Sequence, residues 1–328
     1  MDMKHPRVYV TRKLPGDALE RLANAVDLRY WPESAVPVPR EVLLAEAGQA
    51  EGLLTVLSDR IDEAVLTAAP HLKVVANMAV GYDNIDVAAA ARRGVTVTNT
   101  PGVLDDTTAD LAFALMLAVA RRLPEAERCL RQGEWAGWAP LWLAGTDVHG
   151  ATLGIVGFGR IGQAMARRAR GFGMRILYHS HSAKPAAAAE LGAEYRPLAD
   201  LLTESDFVSL HVPLTAETRG LIGPAELAQM KPGAILINTA RGAVVDEIAL
   251  ADALREGRLA AAGIDVYSTE PVPMDHPLLA LPNVVALPHI GSASVATRTR
   301  MAAMAAADLL AVLAGRAPLN PVVPVPRA

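Results

Sequence analysis

Short apolar runs rich in β-branched residues alternate with segments of helical periodicity along the first hundred residues. This alternation is typical of an α/β unit, in which helices connect parallel strands. Asp62–Ala69 is one of the intervening helical segments. The runs that predict strands are Val8–Val10, Leu53–Val56, Val74–Ala76 and Val95–Val97. The first hundred residues are therefore predicted to form a small α/β unit.

A second series of apolar runs begins at Gly154, again with helical segments between the runs. Six strands connected by helices are sufficient for a complete doubly wound sheet. The six candidate strands are Ile155–Val156, Ile176–Tyr178, Phe207–Leu210, Ile235–Ile237, Ile264–Val266 and Val284–Ala286. A chain of 328 residues also exceeds what one ordinary core accommodates. We therefore predict an α/β fold with two doubly wound parallel-sheet domains.

A glycine-rich turn follows the apolar run Thr152–Val156 and precedes the helix-compatible stretch Gln163–Arg170. Three small residues at these positions allow a sharp turn, bring backbone amides against a pyrophosphate and pack the helix on the strand, while the helix N-terminus contributes positive potential. The turn has the pattern Gly-x-Gly-x-x-Gly and consists of Gly157, Phe158, Gly159, Arg160, Ile161 and Gly162. We predict that this turn binds a dinucleotide.

The segments that flank the second series suggest how the domains are connected. The cap-type residues Asp105–Thr107 predict the start of a long bridging helix within residues 107–150, and a final helix near Ala293–Leu313 would return to the first unit. The proline-rich end, Pro318–Pro326, is predicted to be an extended tail. We therefore predict a Rossmann dinucleotide-binding domain of residues 103–291 inserted in a flavodoxin-like substrate domain formed by residues 1–102 and 292–328.

Composition and charge exclude several classes of protein. A net charge of −4 provides no basic face for nucleic acid. The longest apolar stretch, Leu111–Ala120, is well short of the roughly 20 residues that a membrane span needs and predicts a buried helix. The polar start, Met1–Arg12, predicts that there is no secretory signal, and the single cysteine, Cys129, cannot form an internal disulfide. A reducing cytoplasm is the expected location.

Candidate catalytic residues follow three of the predicted strands. Arg241, Glu270 and His289 come shortly after the runs that start at Ile235, Ile264 and Val284. Because the carboxyl ends of the strands of an open α/β sheet line the ligand crevice, these side chains are expected to meet beside the nicotinamide. The arginine can bind a substrate carboxylate or carbonyl, the histidine can donate a proton, and the glutamate can orient the imidazole and favour its charged form.

The order of these motifs resembles that of the D-isomer-specific 2-hydroxyacid dehydrogenases. The motifs that carry the resemblance are Asn238–Gly242, Thr269–Pro271 and Pro288–Ser292, together with the glycine-rich turn. The resemblance covers essentially the whole chain. Within the family the chain is most similar to glyoxylate/hydroxypyruvate reductases, through Val10–Arg12, Leu57–Asp59, Val80–Asp83, Asp106–Asp110 and Trp138–Trp142.

This resemblance implies a role for each candidate residue. Arg241 would bind the substrate, Glu270 would support His289, and His289 would be the general acid. The backbone of Val80 and Gly81 would hold the substrate carboxylate. The implied reaction is the reduction of glyoxylate to glycolate and of hydroxypyruvate to D-glycerate, with the hydride supplied by the dinucleotide.

The resemblance also implies a homodimer in which Trp138 enters the active site of the partner subunit. The alternative interpretation is that Trp135, Trp138 and Trp142, which have helix-like spacing, pack together in a dimer arm. Leu57 and Ser58 are further candidates for the substrate pocket. The sequence does not discriminate between glyoxylate and hydroxypyruvate, because pockets that differ by one methylene shift preference by only about 1 to 3 kcal/mol.

The residues after the glycine-rich turn predict which dinucleotide is preferred. An NAD site commonly carries an acidic residue about 20 positions after the turn, yet no carboxylate occurs from Phe158 to Ala189. Ser180, His181, Ser182 and Lys184 follow the second strand instead and would tolerate a 2'-phosphate. NADPH is therefore predicted to be preferred; the alternative is that these residues simply cap a loop, with NADH still accepted. Further candidate cofactor contacts are Thr108, His211, Val212, Pro213, Thr218, Thr239, Ala240, Arg241, Asp265, His289 and Gly291.

Two alternatives to this function remain open. A phosphoglycerate dehydrogenase is the nearest enzymatic alternative, and a dinucleotide-sensing interaction protein is an alternative from another class. His179 and His181 suggest a metal site, but no third ligand stands at a suitable spacing, so no metal is predicted.

Overall fold

The computed structural model describes residues 5–322, and its contacts divide the chain into two compact units. Unit 1 comprises Met1–Leu104 and Ser292–Ala328, and unit 2 comprises Asp105–Gly291. Residues 1–4 and 323–328 lie outside the described part. They include the beginning of the polar start and the end of the predicted extended tail.

The sheet of unit 1 has five parallel strands in the described residues, in the order β2-β1-β3-β4-β5. This is the strand order of a flavodoxin-like sheet, the kind of domain that was predicted for this part of the chain. The strands are β1 (Arg7–Val10), β2 (Asp27–Tyr30), β3 (Gly52–Thr55), β4 (Val74–Asn77) and β5 (Thr96–Thr98). β3 and β4 are buried along their whole length, as expected for inner strands of a sheet with helices on both faces.

Short helices and one long helix cover the sheet of unit 1. The helices are α1 (Ala18–Ala23), α2 (Arg40–Ala47), α3 (Glu63–Ala68), α4 (Val87–Arg92) and α12 (Val295–Leu313). The long helix α12 corresponds to the predicted final helix and packs on β3, β4 and β5. It begins after Ser294, whose side chain accepts a hydrogen bond from the Thr297 amide at 3.1 Å and thereby caps the helix.

The sheet of unit 2 has seven parallel strands in the described residues, in the order β12-β11-β10-β9-β6-β7-β8. The strands are β6 (Thr152–Val156), β7 (Arg175–His179), β8 (Ala193–Tyr195), β9 (Phe207–Leu210), β10 (Ile235–Asn238), β11 (Ala261–Ile264) and β12 (Val284–Ala286). The strand order reverses between β6 and β9, as in a Rossmann sheet, and such a switch point is where ligands bind. The prediction of two doubly wound parallel-sheet domains is confirmed.

Unit 2 contains one long buried helix and several shorter ones. The helices are α5 (Asp105–Ala120), α6 (Leu123–Arg131), α7 (Arg160–Gly171), α8 (Pro185–Leu191), α9 (Leu198–Glu204), α10 (Pro224–Gln229) and α11 (Glu247–Arg255), with 3-10 turns at Gly242–Val244 and Pro277–Ala280. The apolar stretch Leu111–Ala120 lies in α5, as predicted. The predicted long helix does not continue beyond Ala120, because Arg122 adopts a left-handed conformation with φ of 52° and a new helix begins at Leu123.

The core of unit 2 fills both faces of its sheet. Val156, Leu210 and Leu236 belong to the cluster on one face, while Ile155 and Ile237 belong to the cluster on the other. Because side chains alternate along a strand, each inner strand contributes to both clusters. Among residues 5–322, no helix combines the length and the apolar character that crossing a bilayer requires.

Three strands differ from the sequence prediction. The fifth strand of unit 2 is Ala261–Ile264 rather than Ile264–Val266, because its small residues lack the β-branched pattern. They are small because α5 lies close to the strand: a Cβ on Gly263 would lie 2.6 Å from Leu115 Cγ. Strands β2 and β8 were not predicted, since both are short edge strands with mostly exposed side chains.

The tryptophan segment also differs from its predicted pattern. Trp135, Trp138 and Trp142 lie beyond the end of α6 in irregular chain and turns, so their helix-like spacing does not reflect a helix. Gly133 and Gly137 interrupt the segment, and both have positive φ. Trp138 is 83% exposed.

Candidate active site

The glycine-rich turn has the geometry of a dinucleotide-binding turn. Gly157 has a φ of +97°, and a Cβ there would lie 2.5 Å from the His211 carbonyl carbon. A Cβ on Gly162 would lie 2.1 Å from the Gly157 oxygen, so α7 can lie this close to the strand only with glycine there. Gly159 is the N-cap of α7, and a Cβ on this residue would have no atom within 4 Å. The turn is therefore tight, closely packed and open where a pyrophosphate would approach the helix N-terminus.

The three other residues of the turn have different roles. Phe158 was predicted as a cofactor contact, but its side chain is buried and stacks on Tyr178, with ring centroids 4.1 Å apart. Its carbonyl accepts a hydrogen bond from Gln163 Nε2 at 3.0 Å. The Phe158 side chain thus belongs to the core. Arg160 is exposed and Ile161 is partly buried at the start of α7.

The loop after β7 holds the residues predicted to select the dinucleotide. Ser180 Oγ donates to the Ser182 carbonyl at 2.7 Å, and the Lys184 amide donates to the Tyr178 hydroxyl at 3.1 Å. The side chains of His181, Ser182 and Lys184 are exposed. The loop therefore presents a hydroxyl and a cation to solvent and no carboxylate.

The segment after β9 lies directly against the glycine-rich turn. His211 Nε2 is 2.9 Å from Ser209 Oγ, and burial lowers the pKa of His211 to about 4, so its ring is neutral at pH 7. Thr218 Oγ donates to the Pro213 carbonyl at 2.6 Å and closes the loop that follows Val212. These contacts give the predicted cofactor residues of this segment a fixed backbone.

The predicted catalytic residues lie at the carboxyl ends of three neighbouring strands. Arg241 follows β10, Glu270 lies in the turn after β11, and His289 follows β12. Glu270 Oε2 is 2.8 Å from His289 Nδ1, and the two side chains are 30% and 23% exposed. His289 has a left-handed φ of 54°, which is uncommon for a residue other than glycine, and its amide donates to the Asp265 carbonyl at 2.8 Å.

Glu270 is held at both carboxylate oxygens. Its Oε1 accepts a hydrogen bond from the Tyr267 amide at 3.0 Å, while its Oε2 contacts His289. Burial raises the pKa of the Glu270 carboxyl, but the hydrogen bond and charge of His289, the Tyr267 amide and the charge of Arg241 outweigh it and hold the pKa below its ordinary value. Glu270 is thus ionised at neutral pH, and a negative charge faces the imidazole.

The turn that carries Arg241 is stabilised by a side chain that the sequence did not single out. Asn238 Nδ2 donates to the Arg241 carbonyl at 2.9 Å, and Asn238 Oδ1 accepts from the Ala240 amide at 3.0 Å. Arg241 Nη1 in turn donates to the Ala240 carbonyl at 2.8 Å. The Arg241 side chain therefore leaves the strand in a defined direction.

Two buried polar atoms beside these residues have no hydrogen-bond partner within the described chain. They are Thr239 Oγ1 and Asp265 Oδ2, whereas Asp265 Oδ1 accepts from the Ile290 amide at 2.8 Å. Burial raises the pKa of Asp265. A Cβ on Gly291 would lie 3.4 Å from both Asp265 Oδ2 and Thr108 Cγ2, so these predicted cofactor residues are neighbours. Unpartnered buried atoms at a ligand crevice are suited to a polar group of a bound cofactor.

The predicted substrate residues of unit 1 lie in two loops. Leu57 is 37% exposed, and Ser58 Oγ accepts a hydrogen bond from Arg12 Nη2 at 3.1 Å. The Val80 carbonyl accepts from Asn99 Nδ2 at 2.7 Å. The Gly81 carbonyl is held in the same way by Asn77 Nδ2 at 2.9 Å. The two asparagines thus hold the two successive peptide groups that follow Val80 and Gly81, and the binding of a carboxylate by this backbone stays a prediction.

Arg12 and Asp59 form a buried ion pair that the sequence analysis did not identify. Arg12 Nη1 lies 3.7 Å from Asp59 Oδ1, and both side chains are less than one-tenth exposed. Burial raises the pKa of Asp59. The sequence could have indicated this pair, because Arg12 and Asp59 follow β1 and β3, which are neighbours in the sheet.

Within residues 5–322, no group of three or more His, Cys, Asp or Glu side chains is arranged to hold a metal ion.

Comparison with known proteins places this site in a family. The family model described as D-isomer specific 2-hydroxyacid dehydrogenase, NAD binding domain, matches residues 113–291. The chain is 55% identical to the glyoxylate reductase of Thermococcus kodakarensis over 317 residues, which are 95% of this chain and 95% of that protein.

Solved structures are similar over nearly the whole chain. A protein from Thermus thermophilus has a TM-score of 0.90 and 52% sequence identity, covering 97% of this chain and 100% of that one. The NADPH-dependent glyoxylate/hydroxypyruvate reductase of Sinorhizobium meliloti, in complex with NADP and malonate, has a TM-score of 0.85 and 38% identity, covering 98% of this chain and 97% of that one. Because the family model matches more than half of the chain and the similarity extends through both units, this protein belongs to the D-isomer specific 2-hydroxyacid dehydrogenase family of oxidoreductases and uses a nicotinamide dinucleotide.

Proposed function

We propose that the protein reduces glyoxylate to glycolate and hydroxypyruvate to D-glycerate, with NADPH as the preferred reductant. The observation that carries this proposal is the 2.8 Å contact between Glu270 and His289 at the strand ends that also hold Arg241. The relatives support the substrate class, since two of the three named above are a glyoxylate reductase and a glyoxylate/hydroxypyruvate reductase.

The roles of the three side chains follow from their contacts. Nδ1 of His289 is engaged by Glu270, so Nε2 is the ring nitrogen that can donate a proton to a substrate carbonyl oxygen. Arg241 can bind a carboxylate with two parallel hydrogen bonds and can stabilise negative charge on the carbonyl oxygen. The bound nicotinamide supplies the hydride.

The preference for NADPH rests on the loop after β7. No acidic residue there would bind the ribose hydroxyls of NADH or repel a 2'-phosphate, whereas the exposed side chains of Ser182 and Lys184 can donate hydrogen bonds. NADH would bind more weakly but would still be accepted, because the glycine-rich turn binds the pyrophosphate common to both.

The test is a panel of 2-oxo acids assayed with NADPH and with NADH. We expect turnover of glyoxylate and hydroxypyruvate in the range of about 1 to 1000 per second, and higher kcat/KM with NADPH. Turnover confined to phosphohydroxypyruvate would assign a phosphoglycerate-type dehydrogenase instead. Dinucleotide binding without turnover of any 2-oxo acid would assign a dinucleotide sensor.

We also propose a homodimer formed through the segment after α5. Large apolar side chains there are exposed, including Leu130 at 60%, Trp138 at 83% and Leu141 at 82%. A second copy of the chain is the proposed occupant, because exposed apolar patches of this kind usually mark protein interfaces. Light scattering on the protein and on Trp138→Ser would test this, and a monomeric parent protein would refute it.

A cytoplasmic location is proposed together with the dimer. Cys129 is a free thiol, as a reducing compartment favours. Fractionation of the source cells would test the location.

A further inference from the structure

We propose that Glu247 is a positioning residue for catalysis, which holds the turn of residues 267–271 so that Glu270 stays in contact with His289. This inference rests on the proposed function, because the three residues of that function are the ones whose geometry Glu247 would control. Glu247 is the first residue of α11 and lies outside the set of residues that touch substrate or cofactor in the proposal.

Glu247 binds the backbone of this turn directly. Its Oε1 accepts a hydrogen bond from the Ser268 amide at 2.8 Å, and its Oε2 accepts from Ser268 Oγ at 2.5 Å. His276 Nε2 lies 3.2 Å from the same Oε2. The Glu247 side chain is only 9% exposed. A shielded carboxylate with three such contacts is fixed in place, and hydrogen bonds to a charged acceptor are among the strong ones.

Glu247 is not needed to cap the helix on which it lies. Asp246 is the N-cap of α11, and its Oδ1 accepts hydrogen bonds from the Ile248 and Ala249 amides at 3.1 and 3.0 Å. The orphan amides at the start of α11 therefore already have a partner. The Glu247 carboxylate is directed to the turn that follows β11 instead.

The turn of residues 267–271, which Glu247 binds, also orients Glu270. The amide of Tyr267, next to Ser268 in the chain, donates to Glu270 Oε1 at 3.0 Å. The Ser268 amide and the Tyr267 Cα belong to one planar peptide, and the Tyr267 amide nitrogen is bonded to that Cα. A shift of this peptide therefore changes the position of the Tyr267 amide. The path of contacts thus runs from Glu247 through Ser268 and Tyr267 to Glu270, and from Glu270 to His289.

The same backbone also supports the turn that carries Arg241. A Cβ on Gly242 would lie 1.9 Å from the Tyr267 carbonyl carbon, so the two turns are in direct contact. Displacement of residues 267–268 would therefore disturb both the carboxylate that faces His289 and the turn that directs Arg241. This close packing explains why a single side chain on α11 can affect two residues of the site.

The test compares Glu247→Ala, Glu247→Gln and Ser268→Ala with the parent enzyme. Asp252→Asn is the matched control, because Asp252 is an exposed carboxylate on α11 that pairs with Arg255. Two measurements are made on each variant: the pH profiles of kcat and KM for reduction of the 2-oxo acid, and hydrogen exchange at the amides of Tyr267 and Ser268.

For Glu247→Ala we expect kcat to fall by about 10- to 100-fold, as a small misplacement of a catalytic group can cause, with little change in KM for the dinucleotide. As the pH rises, the rate of reduction by this variant should begin to fall at a lower pH than in the parent, since Glu270 no longer faces the protonated imidazole in a fixed position. Exchange at the two amides should accelerate. Glu247→Gln, which keeps one carbonyl acceptor, should recover part of the rate, and Ser268→Ala should have a smaller effect in the same direction.

Several results would overturn the proposal. The first is a folded Glu247→Ala variant that keeps the parental kcat and pH profile. The second is a Glu247→Ala variant whose Tm is lowered while its pH profile is unchanged, or whose hydrogen exchange is unchanged at both amides. The third is a loss of kcat in Asp252→Asn equal to that in Glu247→Ala. If the parent reduces no 2-oxo acid, the proposed function fails on its own, while hydrogen exchange still decides whether Glu247 holds the turn.

Discussion

His289 Nδ1 and Glu270 Oε2 lie 2.8 Å apart, and the second oxygen of Glu270 is held by the Tyr267 amide. The contact determines which ring nitrogen is engaged, and so leaves Nε2 to act on a substrate. It also places an ionised carboxylate beside the imidazole, because the pKa of Glu270 is held below its ordinary value despite its burial.

Replacing Glu270 with glutamine should move the pH dependence of reduction. The proton donor is the protonated imidazole, and the negative charge of Glu270 favours that form. Glutamine removes this charge and with it the stabilisation of the protonated donor, so the alkaline limb of kcat/KM should shift to lower pH in Glu270→Gln. Glu256→Gln, a change at an exposed carboxylate that pairs with Arg258, serves as the control. An alkaline limb that stays at its parental position would show that Glu270 does not couple to His289.

Arg241→Lys should reduce both substrate capture and the chemical step. Lysine keeps the positive charge but lacks the planar fork that binds a carboxylate with two parallel hydrogen bonds. We therefore expect a higher KM for the 2-oxo acid and a lower kcat, with unchanged binding of the dinucleotide. Steady-state kinetics and a dinucleotide titration check this. Parental kcat/KM would remove Arg241 from the site.

Gly162→Ala should destabilise the dinucleotide-binding turn. The added methyl would lie 2.1 Å from the Gly157 carbonyl oxygen, so α7 must move away from the strand. Overpacking of this kind costs about 1 to 3 kcal/mol in the free energy of unfolding, and the shift should also weaken dinucleotide binding. Gly171→Ala on the same helix is the control, because nothing lies within 4 Å of its added methyl. Equal stability and affinity of the two variants would contradict this role of Gly162.

Ser180→Asp should shift the preference from NADPH towards NADH. The new carboxylate would accept hydrogen bonds from the ribose and repel a 2'-phosphate. Ser180→Ala is the matched control, since it also loses the hydrogen bond to the Ser182 carbonyl but adds no charge. Lys184→Ala should weaken NADPH more than NADH. The prediction would be refuted by a parent enzyme that strongly favours NADH. It would also be refuted if the ratio of kcat/KM with NADPH to kcat/KM with NADH were the same in Ser180→Asp as in the parent.

The inner strands of the fold were predictable because each is a run of consecutive apolar residues, a pattern that is visible without knowledge of the tertiary contacts. Val74–Ala76 and Phe207–Leu210 are buried apolar runs, and the structure places strands on both. The strand Ala261–Ile264 was misplaced because its small residues are set by a distant neighbour, Leu115, which lies over Gly263. The edge strand Ala193–Tyr195 was missed because it buries little and leaves a weak apolar pattern.

The candidate site could be predicted only in part for a similar reason. Arg241, Glu270 and His289 each follow a strand, so the topology of a parallel sheet brings them to one edge. The supports of these residues come from elsewhere in the chain: Glu247 reaches Ser268 across 21 residues. No periodicity or local motif encodes such a contact, because it depends on how a helix packs against a turn.

The most direct test of the central claim is the rate of glyoxylate reduction by His289→Asn relative to the parent, with dinucleotide affinity measured on both. Asparagine is among the residues that tolerate the left-handed backbone conformation of His289, so folding should be preserved. Since only proton donation is removed, we expect kcat to fall by about 100- to 10000-fold while the affinity for NADPH stays nearly unchanged. A folded His289→Asn that reduces glyoxylate at the parental rate would contradict the account.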